Sequence, residues 1–257
     1  MAIGAKGNGM SKGTIRVGIG GWSFEPWRGI FYPQGLRQKD EQAYATSQMT
    51  AIEINATYYS TQSPKSFANW AAAAPEGFQY SAKASRFCTN RKVLADAGPS
   101  IDKYMGQGLS ELGDKLGPIV WQFAHTKKFD PADFGAFLEL LPAELDGRPL
   151  RHALDLRNAS FDDPVFIELA RSKGIAIVHS DHPEYPLIEA DTADFAYIRV
   201  MKAEEGLVEG YSKADLDRWT DYAQAIAARG KDVYLFFISG AKIRNPAAAR
   251  AVIERLG

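Results

Sequence analysis

The sequence is poor in cysteine and contains no long hydrophobic run. Its single cysteine, Cys88, excludes a disulfide within the chain and is typical of a reducing compartment. No run of about 18 apolar residues is present, so the sequence predicts no membrane-spanning helix. The formal net charge of −1 creates no overall field that would draw the chain to nucleic acid or to an anionic membrane. Together these absences predict a cytoplasmic protein that does not bind membranes.

The first thirteen residues also lack an apolar segment. Residues 1–13 consist largely of glycine, lysine and small residues, which predicts a disordered leader and argues against a signal peptide. The full chain contains 46% aliphatic and aromatic residues, enough for a large core. Neither a linker nor an internal repeat interrupts it. We therefore expect residues 14–257 to form one domain.

Eight apolar runs have the length of buried strands, and segments with helical signals lie between them. The predicted strands are Ile15–Trp22, Ala51–Asn55, Phe78–Lys83, Pro118–Phe123, Arg151–Arg157, Ile175–Asp181, Phe195–Met201 and Val233–Ser239. The predicted helices are Gln38–Met49, Ser63–Ala74, Ser100–Leu116, Asp130–Leu141, Ser160–Lys173, Ser212–Arg229 and Asn245–Leu256. Strands that alternate with helices predict parallel pairing through right-handed crossovers.

The number of such units favours one fold class. Eight strand–helix units without a change in composition predict an α/β fold, a single eight-stranded parallel TIM-type barrel. An open, doubly wound sheet is the alternative, since both folds share the same element order. The sixth connection, His182–Asp194, contains two prolines and is too short for a full helix. We therefore expect one degenerate unit after the sixth strand.

Polar side chains recur near the carboxyl ends of these otherwise apolar strands. They are Glu53, Asn55, Lys83, Gln122, Asp155, Arg157, His179, Asp181 and Arg199. Because side chains two positions apart share a face of a strand, Glu53 and Asn55 are predicted to point the same way. Buried charges are too costly to serve as packing, so their repetition indicates a site. In a barrel of this type, the site lies at the carboxyl ends of the strands.

Several sequence blocks carry a resemblance to a known family. They are GIGGWSFEPWRGIFYP at 18–33, EINATYY at 53–59, PEGFQYSAKASRFCTN at 75–90, LRHALDLRNASF at 150–161 and FAYIRV at 195–200. Their order and spacing resemble the YecE-like family, known as domain of unknown function 72, over residues 14–257. This resemblance implies an eight-stranded TIM-type barrel with a polar cavity at its carboxyl-terminal mouth. It implies no particular reaction.

The chain departs from the commoner pattern of that family at positions that matter for chemistry. Asn90 and Asn158 stand where the pattern has histidine. Met201 and Lys202 replace a His-Gly pair, and residues 238–239 (Ile-Ser) replace an Asn-Asn pair. These changes remove groups that could bind a metal or transfer a proton, so roles carried through those positions are not transferred to this chain.

Two carboxylates and one lysine are the candidate catalytic residues. Glu53 and Asp155 could divide the roles of general acid and general base if their surroundings separate their pKa values. Lys83 lies on the neighbouring predicted strand, where it would help to hold an anion or, as an alternative, form a Schiff base with the substrate. The alternative is an internal ion network in which the acids only neutralise Lys83, Arg157 and Arg199.

The remaining candidates are expected to bind a ligand. They are Trp22, Asn55, Tyr58, Gln122, Arg157, Asp181 and Arg199. Arginine binds carboxylate or phosphate through two parallel hydrogen bonds, which predicts a small anionic ligand. Aromatic rings at a pocket mouth suit a sugar or a base. No metal ligand is assigned and no cofactor is required, although one divalent metal at His179 and Asp181 is an alternative.

These residues predict an enzyme of the hydrolase or isomerase type. Its substrate would be a small, anionic, ring-bearing compound such as a phosphorylated sugar or a nucleotide. One alternative is a nucleic-acid-binding module that uses the basic segments Arg86–Lys92 and Lys127–Lys128. Another is a scaffold without catalytic activity, which the missing histidines would explain.

Overall fold

Nine parallel strands form one sheet in the computed structural model, which describes residues 11–257. They are β1 (Ile15–Gly20), β2 (Ala51–Ile54), β3 (Gln79–Lys83), β4 (Leu116–Gln122), β7 (His152–Asp155), β8 (Ala176–Ile177), β9 (His179–Asp181), β10 (Phe195–Val200) and β11 (Asp232–Phe237). The remaining two, β5 (Glu144–Leu145) and β6 (Arg148–Pro149), form a small antiparallel hairpin between β4 and β7. The order of the large sheet is β8-β7-β4-β3-β2-β1-β11-β10-β9.

The sheet is a nearly closed α/β barrel, as predicted, but its strand count differs from the prediction. The sixth predicted strand, 175–181, is divided at Val178 into two short strands. The first, β8, pairs with β7, and the second, β9, pairs with β10. The described sheet therefore has nine strands rather than eight, while a single residue, Val178, connects the two ends of the sheet order.

Helices surround this barrel at most of the predicted places. They are α1 (Glu41–Gln48), α2 (Ala56–Tyr59), α3 (Pro64–Ala73), α4 (Arg86–Thr89), α5 (Gly98–Met105), α6 (Pro131–Glu139), α7 (Pro164–Ser172), α8 (Lys213–Ala227) and α9 (Asn245–Leu256). Side-chain oxygens of Ser63, Asp130 and Ser212 cap α3, α6 and α8 by accepting backbone N–H bonds. The short α2 and α4 were not predicted.

One predicted helix is wrong in its extent. The segment 100–116 was expected to be a single helix, but α5 ends at Met105 and a 3-10 segment follows over Leu109–Lys115. Gly108 adopts a φ of 109° between them, a backbone conformation that favours glycine. The side chain of a larger residue at that position would meet Pro64 of α3. The leucine spacing alone does not reveal this close approach.

The hydrophobic core consists of two layers, one inside the barrel and one between the strands and the surrounding helices. The inner layer contains aromatic and small residues, including Phe195, Tyr197, Tyr234 and Phe236. The outer layer is larger and packs the opposite faces of the strands against the helices. These aromatic rings lie on the same strand faces as the polar groups of the carboxyl-terminal end, and Arg16 and Gln79 contact the ring and the hydroxyl of Tyr234 nearer the amino-terminal end.

The remaining predictions concern the amino-terminal leader, the sixth connection and membrane-spanning helices. Most of the predicted leader, residues 1–10, lies outside the described residues. The backbone N–H of Gly13, its last residue, donates to the carbonyl of Ala227 at 2.9 Å. The sixth connection contains no helix, as predicted. None of the helices in residues 11–257 combines the length and apolar composition needed to cross a bilayer.

Candidate functional site

A cluster of charged side chains closes the carboxyl-terminal end of the barrel interior. The register of the sheet places Arg199 of β10 beside Ser180 of β9, and Gln122 of β4 beside Asp155 of β7. Glu53 is the third residue of β2 and lies beside Ser81 of β3. Each of these side chains lies one or two residues before the end of its strand or at that end, so they meet at one level.

Arg199 is the centre of this cluster. Its guanidinium group donates two hydrogen bonds to Glu53, from Nη2 to Oε1 at 2.5 Å and from Nε to Oε2 at 3.1 Å. Its third nitrogen, Nη1, donates to Oδ2 of Asp155 at 2.6 Å. All three side chains are at most 1% exposed. One buried cation therefore holds two buried carboxylates in fixed positions.

Arg157 and Gln122 extend the cluster toward the solvent. Nη2 of Arg157 donates to Oε1 of Gln122 at 2.6 Å and to Oδ2 of Asp155 at 3.2 Å. The guanidinium group also lies over the ring of Tyr185, 4.7 Å from its centroid, in the loop after β9. The Arg157 side chain is 20% exposed, compared with 1% for Asp155. Arg157 is therefore the arginine of the cluster that a ligand could reach.

These contacts determine the charge states of the two acids. Burial alone would raise the pKa of Glu53, but the charges of Arg199 and Lys83 and hydrogen bonds from Arg199 and Tyr197 lower it. Burial opposes ionisation of Asp155 as well, and the charges of Arg199, Arg157 and Lys83 lower its pKa. Both groups are therefore carboxylates at neutral pH. Neither has a proton to give as a general acid.

A chain of two hydroxyl groups, from Tyr197 and Ser81, leads to the carboxylate of Glu53. The hydroxyl of Tyr197 donates to Oε2 of Glu53 at 2.6 Å and lies 2.8 Å from Oγ of Ser81. Ser81 in turn lies 2.9 Å from the carbonyl oxygen of Pro118, to which its hydroxyl donates. Burial, together with the negative charge of Glu53, raises the pKa of Tyr197 well above its usual value. Tyr197 is therefore a neutral donor that fixes the carboxylate.

Lys83 differs from the other charged groups because no carboxylate holds it. It is 8% exposed, and its Nζ lies over the ring of Tyr58, 4.4 Å from the centroid. Within residues 11–257 this ammonium group has no hydrogen-bond acceptor and no carboxylate within 4.0 Å. Burial and the charge of Arg199 lower its pKa to about 8, although Glu53 and Asp155 act in the opposite direction. The ammonium group of Lys83 is therefore easier to deprotonate than that of an exposed lysine.

The two remaining residues of the β2 end take different positions. Asn55 immediately precedes α2, and its Nδ2 lies 3.5 Å from the carbonyl oxygen of Glu53 and close to Gly20. Tyr58 covers Lys83, and its hydroxyl lies 3.5 Å from Nε2 of Gln122. Asn55 and Tyr58 thus border the charged cluster on one side.

Trp22 and Asp181 do not join the cluster. The ring of Trp22 packs against Trp70 and Tyr80 in the outer layer, with centroids 5.2 and 6.2 Å away. Asp181 pairs in register with Val200 of the outer layer, and its carboxylate forms a salt bridge of 2.5 Å with Lys202. On β9 the residue that faces the interior is Ser180, which donates to Asp155 at 3.4 Å.

His179 also points away from the interior, which bears on the alternative of a metal site. Its Nδ1 lies 3.2 Å from the hydroxyl of Tyr222 on α8, and its ring packs edge-on against Trp219. Burial lowers the pKa of His179, so the ring is neutral at physiological pH. In the described part of the chain, no group of three or more His, Cys, Asp or Glu side chains is arranged to hold a metal ion.

The structure adds four residues that the sequence analysis did not propose, namely Ser81, Ser180, Tyr185 and Tyr197. Tyr197 and Ser81 each stand two positions before a predicted site residue on the same strand, so the period of two could have identified them. Tyr185 lies in an irregular loop, where no periodic signal exists. Its position over Arg157 is visible only in three dimensions.

Comparison with known proteins agrees with this architecture. The model of a family described as "Protein of unknown function DUF72" matches residues 16–257. The UPF0759 protein YunF of Bacillus subtilis is 24% identical over 254 residues, covering 87% of this chain and 88% of that protein.

Solved structures show the same fold. A DUF72 family protein from Thermotoga maritima superimposes with a TM-score of 0.74 at 23% identity, covering 94% of this chain and 98% of that one. A xylose isomerase-like TIM barrel/4-hydroxyphenylpyruvate dioxygenase fusion protein matches with a TM-score of 0.52 at 12% identity, covering 96% of this chain and 44% of the other. At these identities the likeness concerns the fold alone.

Proposed function

We propose that this chain, which belongs to the DUF72 family of proteins of unknown function, binds a small anionic compound at its barrel mouth and converts it. The substrate class is a ring-bearing phosphate ester, such as a phosphorylated sugar or a nucleotide. The reaction is of the hydrolase or isomerase type, with Lys83 as the group that exchanges a proton. The observation that carries the proposal is the unpaired, largely buried ammonium group of Lys83.

The charge of the cluster supports an anionic ligand. Three cations (Lys83, Arg157 and Arg199) and two carboxylates (Glu53 and Asp155) leave a net charge of +1 when Lys83 is protonated. Arg199 already binds both carboxylates, so the uncompensated charge resides on Lys83, and Arg157 is near enough for its charge to lower the pKa of Lys83. An anion placed between these two would receive charge-assisted hydrogen bonds in a partly desolvated site.

The pKa values of the cluster support Lys83, rather than Glu53 or Asp155, as the group that transfers a proton. Glu53 and Asp155 were predicted to transfer protons, but their oxygens accept hydrogen bonds from Arg199 and their pKa values are lowered. An efficient general base or acid has a pKa near the working pH, and the pKa of Lys83 is about 8. We therefore assign the carboxylates the role of fixing Arg199 and lowering the cost of its burial.

The first experiment measures binding of ribose 5-phosphate by isothermal titration calorimetry at pH 7 and at pH 9.5. Binding is expected at pH 7 and should weaken at least about tenfold at pH 9.5, since the ammonium group is lost. Lys83→Met should abolish binding at both pH values. Lys65→Met, which removes an exposed lysine on α3, is the matched control and should bind as the unaltered protein does. Equal binding by both variants would refute the proposal.

The second experiment tests conversion. Phosphorus NMR of ribose 5-phosphate incubated with the protein should show either free phosphate, for hydrolysis, or a new ester signal, for isomerisation. Lys83→Met should leave the substrate signal unchanged. A protein that binds the compound tightly and never alters it would reduce the proposal to binding alone.

A second candidate function is nucleic-acid binding, which a basic groove beside the mouth favours. The groove has a volume of about 510 Å³ and is bordered by Arg91, Lys92, Lys127 and Lys128, with no acidic residue among its lining. Lys127 is partly neutralised by its salt bridge to Asp133 at 2.7 Å. Binding of single-stranded oligonucleotides that weakens steeply with salt, and that Lys92→Met and Lys128→Met reduce, would support this function.

A further inference from the structure

A cavity lies beside the barrel mouth, between the segments that follow β2 and β3. Its volume is about 340 Å³, within the range of about 300–1,000 Å³ that small-molecule pockets occupy. It is bordered by α2, α4 and the first turns of α5. The groups described for the charged cluster do not line it.

The lining of this cavity carries positive charge without compensation. Arg91 and Lys103 both border it, and no aspartate or glutamate does. Nη1 of Arg91 donates to the carbonyl of Asp96, and Nη2 donates to Oγ of Ser100 at 3.2 Å. Nε of Arg91 is buried and has no hydrogen-bond partner among the described residues. The guanidinium group is therefore held at the cavity with its charge unneutralised.

A buried hydroxyl group at the cavity is also unpaired. Tyr104 is 3% exposed, and its hydroxyl has no hydrogen-bond partner within residues 11–257. Its ring is fixed by an edge-on contact with Trp121, at 5.9 Å between centroids. Leaving a buried donor unsatisfied is costly, and an acceptor atom of a ligand would remove that cost. Burial raises the pKa of Tyr104 well above its usual value, so it is a neutral donor.

Two further features suit an anion attached to a ring. At the start of α5 the side chain of Ser100 borders the cavity, and its hydroxyl can donate a hydrogen bond to an anion. Phe87 also borders the cavity and is 61% exposed, so it offers an aromatic face to a ring. The residues that line the cavity thus provide cations, hydroxyl groups and one exposed aromatic ring.

We propose that this cavity is a second binding site, for an organic phosphate monoester whose phosphate contacts Arg91 and Tyr104 and whose ring lies against Phe87. The site is separate from the one assigned to Lys83 and does not depend on it. Its ligand is bound without a chemical step.

Phenyl phosphate is the probe, and calorimetric titrations of Lys83→Met protein remove any contribution of the mouth. In that background phenyl phosphate is expected to bind at one site. Adding Arg91→Met should weaken binding at least about tenfold, and adding Tyr104→Phe should weaken it about threefold or more. Adding Lys65→Met should leave it unchanged. Because the buried Tyr104 hydroxyl makes no hydrogen bond within the described residues, Tyr104→Phe should unfold at a denaturant concentration no lower than that of its parent.

The outcomes separate this site from the proposed function. Ribose 5-phosphate binding lost in Lys83→Met, together with phenyl phosphate binding kept there and lost with Arg91→Met, supports both sites. Failure of phenyl phosphate to bind the Lys83→Met protein, or equal binding with and without Arg91→Met and Tyr104→Phe, would overturn the second site and leave the first untouched.

Discussion

Replacing Arg199 by methionine is expected to destabilise the protein through Glu53. Methionine fills much of the same volume but removes the cation that lies between the two carboxylates. Asp155 would keep Arg157 at 3.2 Å. Glu53 would keep only the hydroxyl of Tyr197, at 2.6 Å. The variant therefore contains one carboxylate at 0% exposure without a salt bridge.

The expected loss follows from the cost of such a group. Removing one partner of a buried ion pair costs about 3–5 kcal/mol, against a total stability of about 5–15 kcal/mol for a typical domain. Without Arg199, burial would raise the pKa of Glu53 above its unfolded value. Such a group is destabilising above that pKa and becomes neutral as the pH falls. The deficit should therefore be largest near pH 7 and should shrink as the pH falls from the raised pKa of Glu53 toward its unfolded value of about 4–5.

The assay is urea unfolding followed by tryptophan fluorescence at several pH values. The double variant Glu53→Gln/Arg199→Met tests the cause, since it removes the charge as well as its partner. It should recover a substantial part of the loss at pH 7, giving a positive coupling energy in the double-mutant cycle. A loss of less than about 1 kcal/mol in Arg199→Met, or a loss that is the same at pH 4 and pH 7, would refute this reasoning.

Two other predictions concern Lys83 and the glycines. Because burial lowers the pKa of Lys83 from 10.5 to about 8, the unfolded chain binds more protons between these pH values and stability rises with pH there. Relative to Lys83→Met, the free energy of unfolding should increase by up to about 3 kcal/mol from pH 8 to pH 10.5, and parallel curves would contradict this. Gly18→Ala should prevent folding, because the added Cβ would lie 1.7 Å from the carbonyl oxygen of Ala51. Gly135→Ala, in the open interior of α6, should instead raise the unfolding midpoint by an amount equivalent to about 0.5–1 kcal/mol, and the opposite order of the two glycine variants would refute the assignment.

The sequence was informative where a strand carries its polar groups on the inner face. Glu53, Asp155 and Arg199 were correctly predicted to lie near one another. Each stands near the carboxyl end of an otherwise apolar strand, and these strand ends meet at the same end of the barrel. The pattern could not show that Arg199 binds both acids. That arrangement depends on strands 44 and 146 residues apart in the chain, which only the closed sheet brings together.

The sequence misled where both faces of a strand are buried. On the strand ending at Asp181, polar residues occupy successive positions, and the larger side chains of His179 and Asp181 suggested the interior face. The structure gives that face to Ser180, since a small residue fits beside Asp155. Trp22 also lies outside the cluster, because its half-buried ring packs against Trp70 and Tyr80 in the layer outside the barrel, and its contact with a ligand stays a prediction. In parallel strands that are buried on both faces, the polarity of a residue alone does not decide whether its side chain points into the barrel or toward the helices.

The most direct test of the central claim is a pH titration of the Lys83 amine by carbon NMR after reductive methylation with a labelled methyl group. The Lys83→Met spectrum assigns the signal. The structure predicts a pKa of about 8 for this group, and a higher value when ribose 5-phosphate is added, because a bound anion favours the ammonium form. A pKa near the ordinary value of 10.5, unchanged by the phosphate ester, would contradict the claim that Lys83 is the unpaired cation of the site.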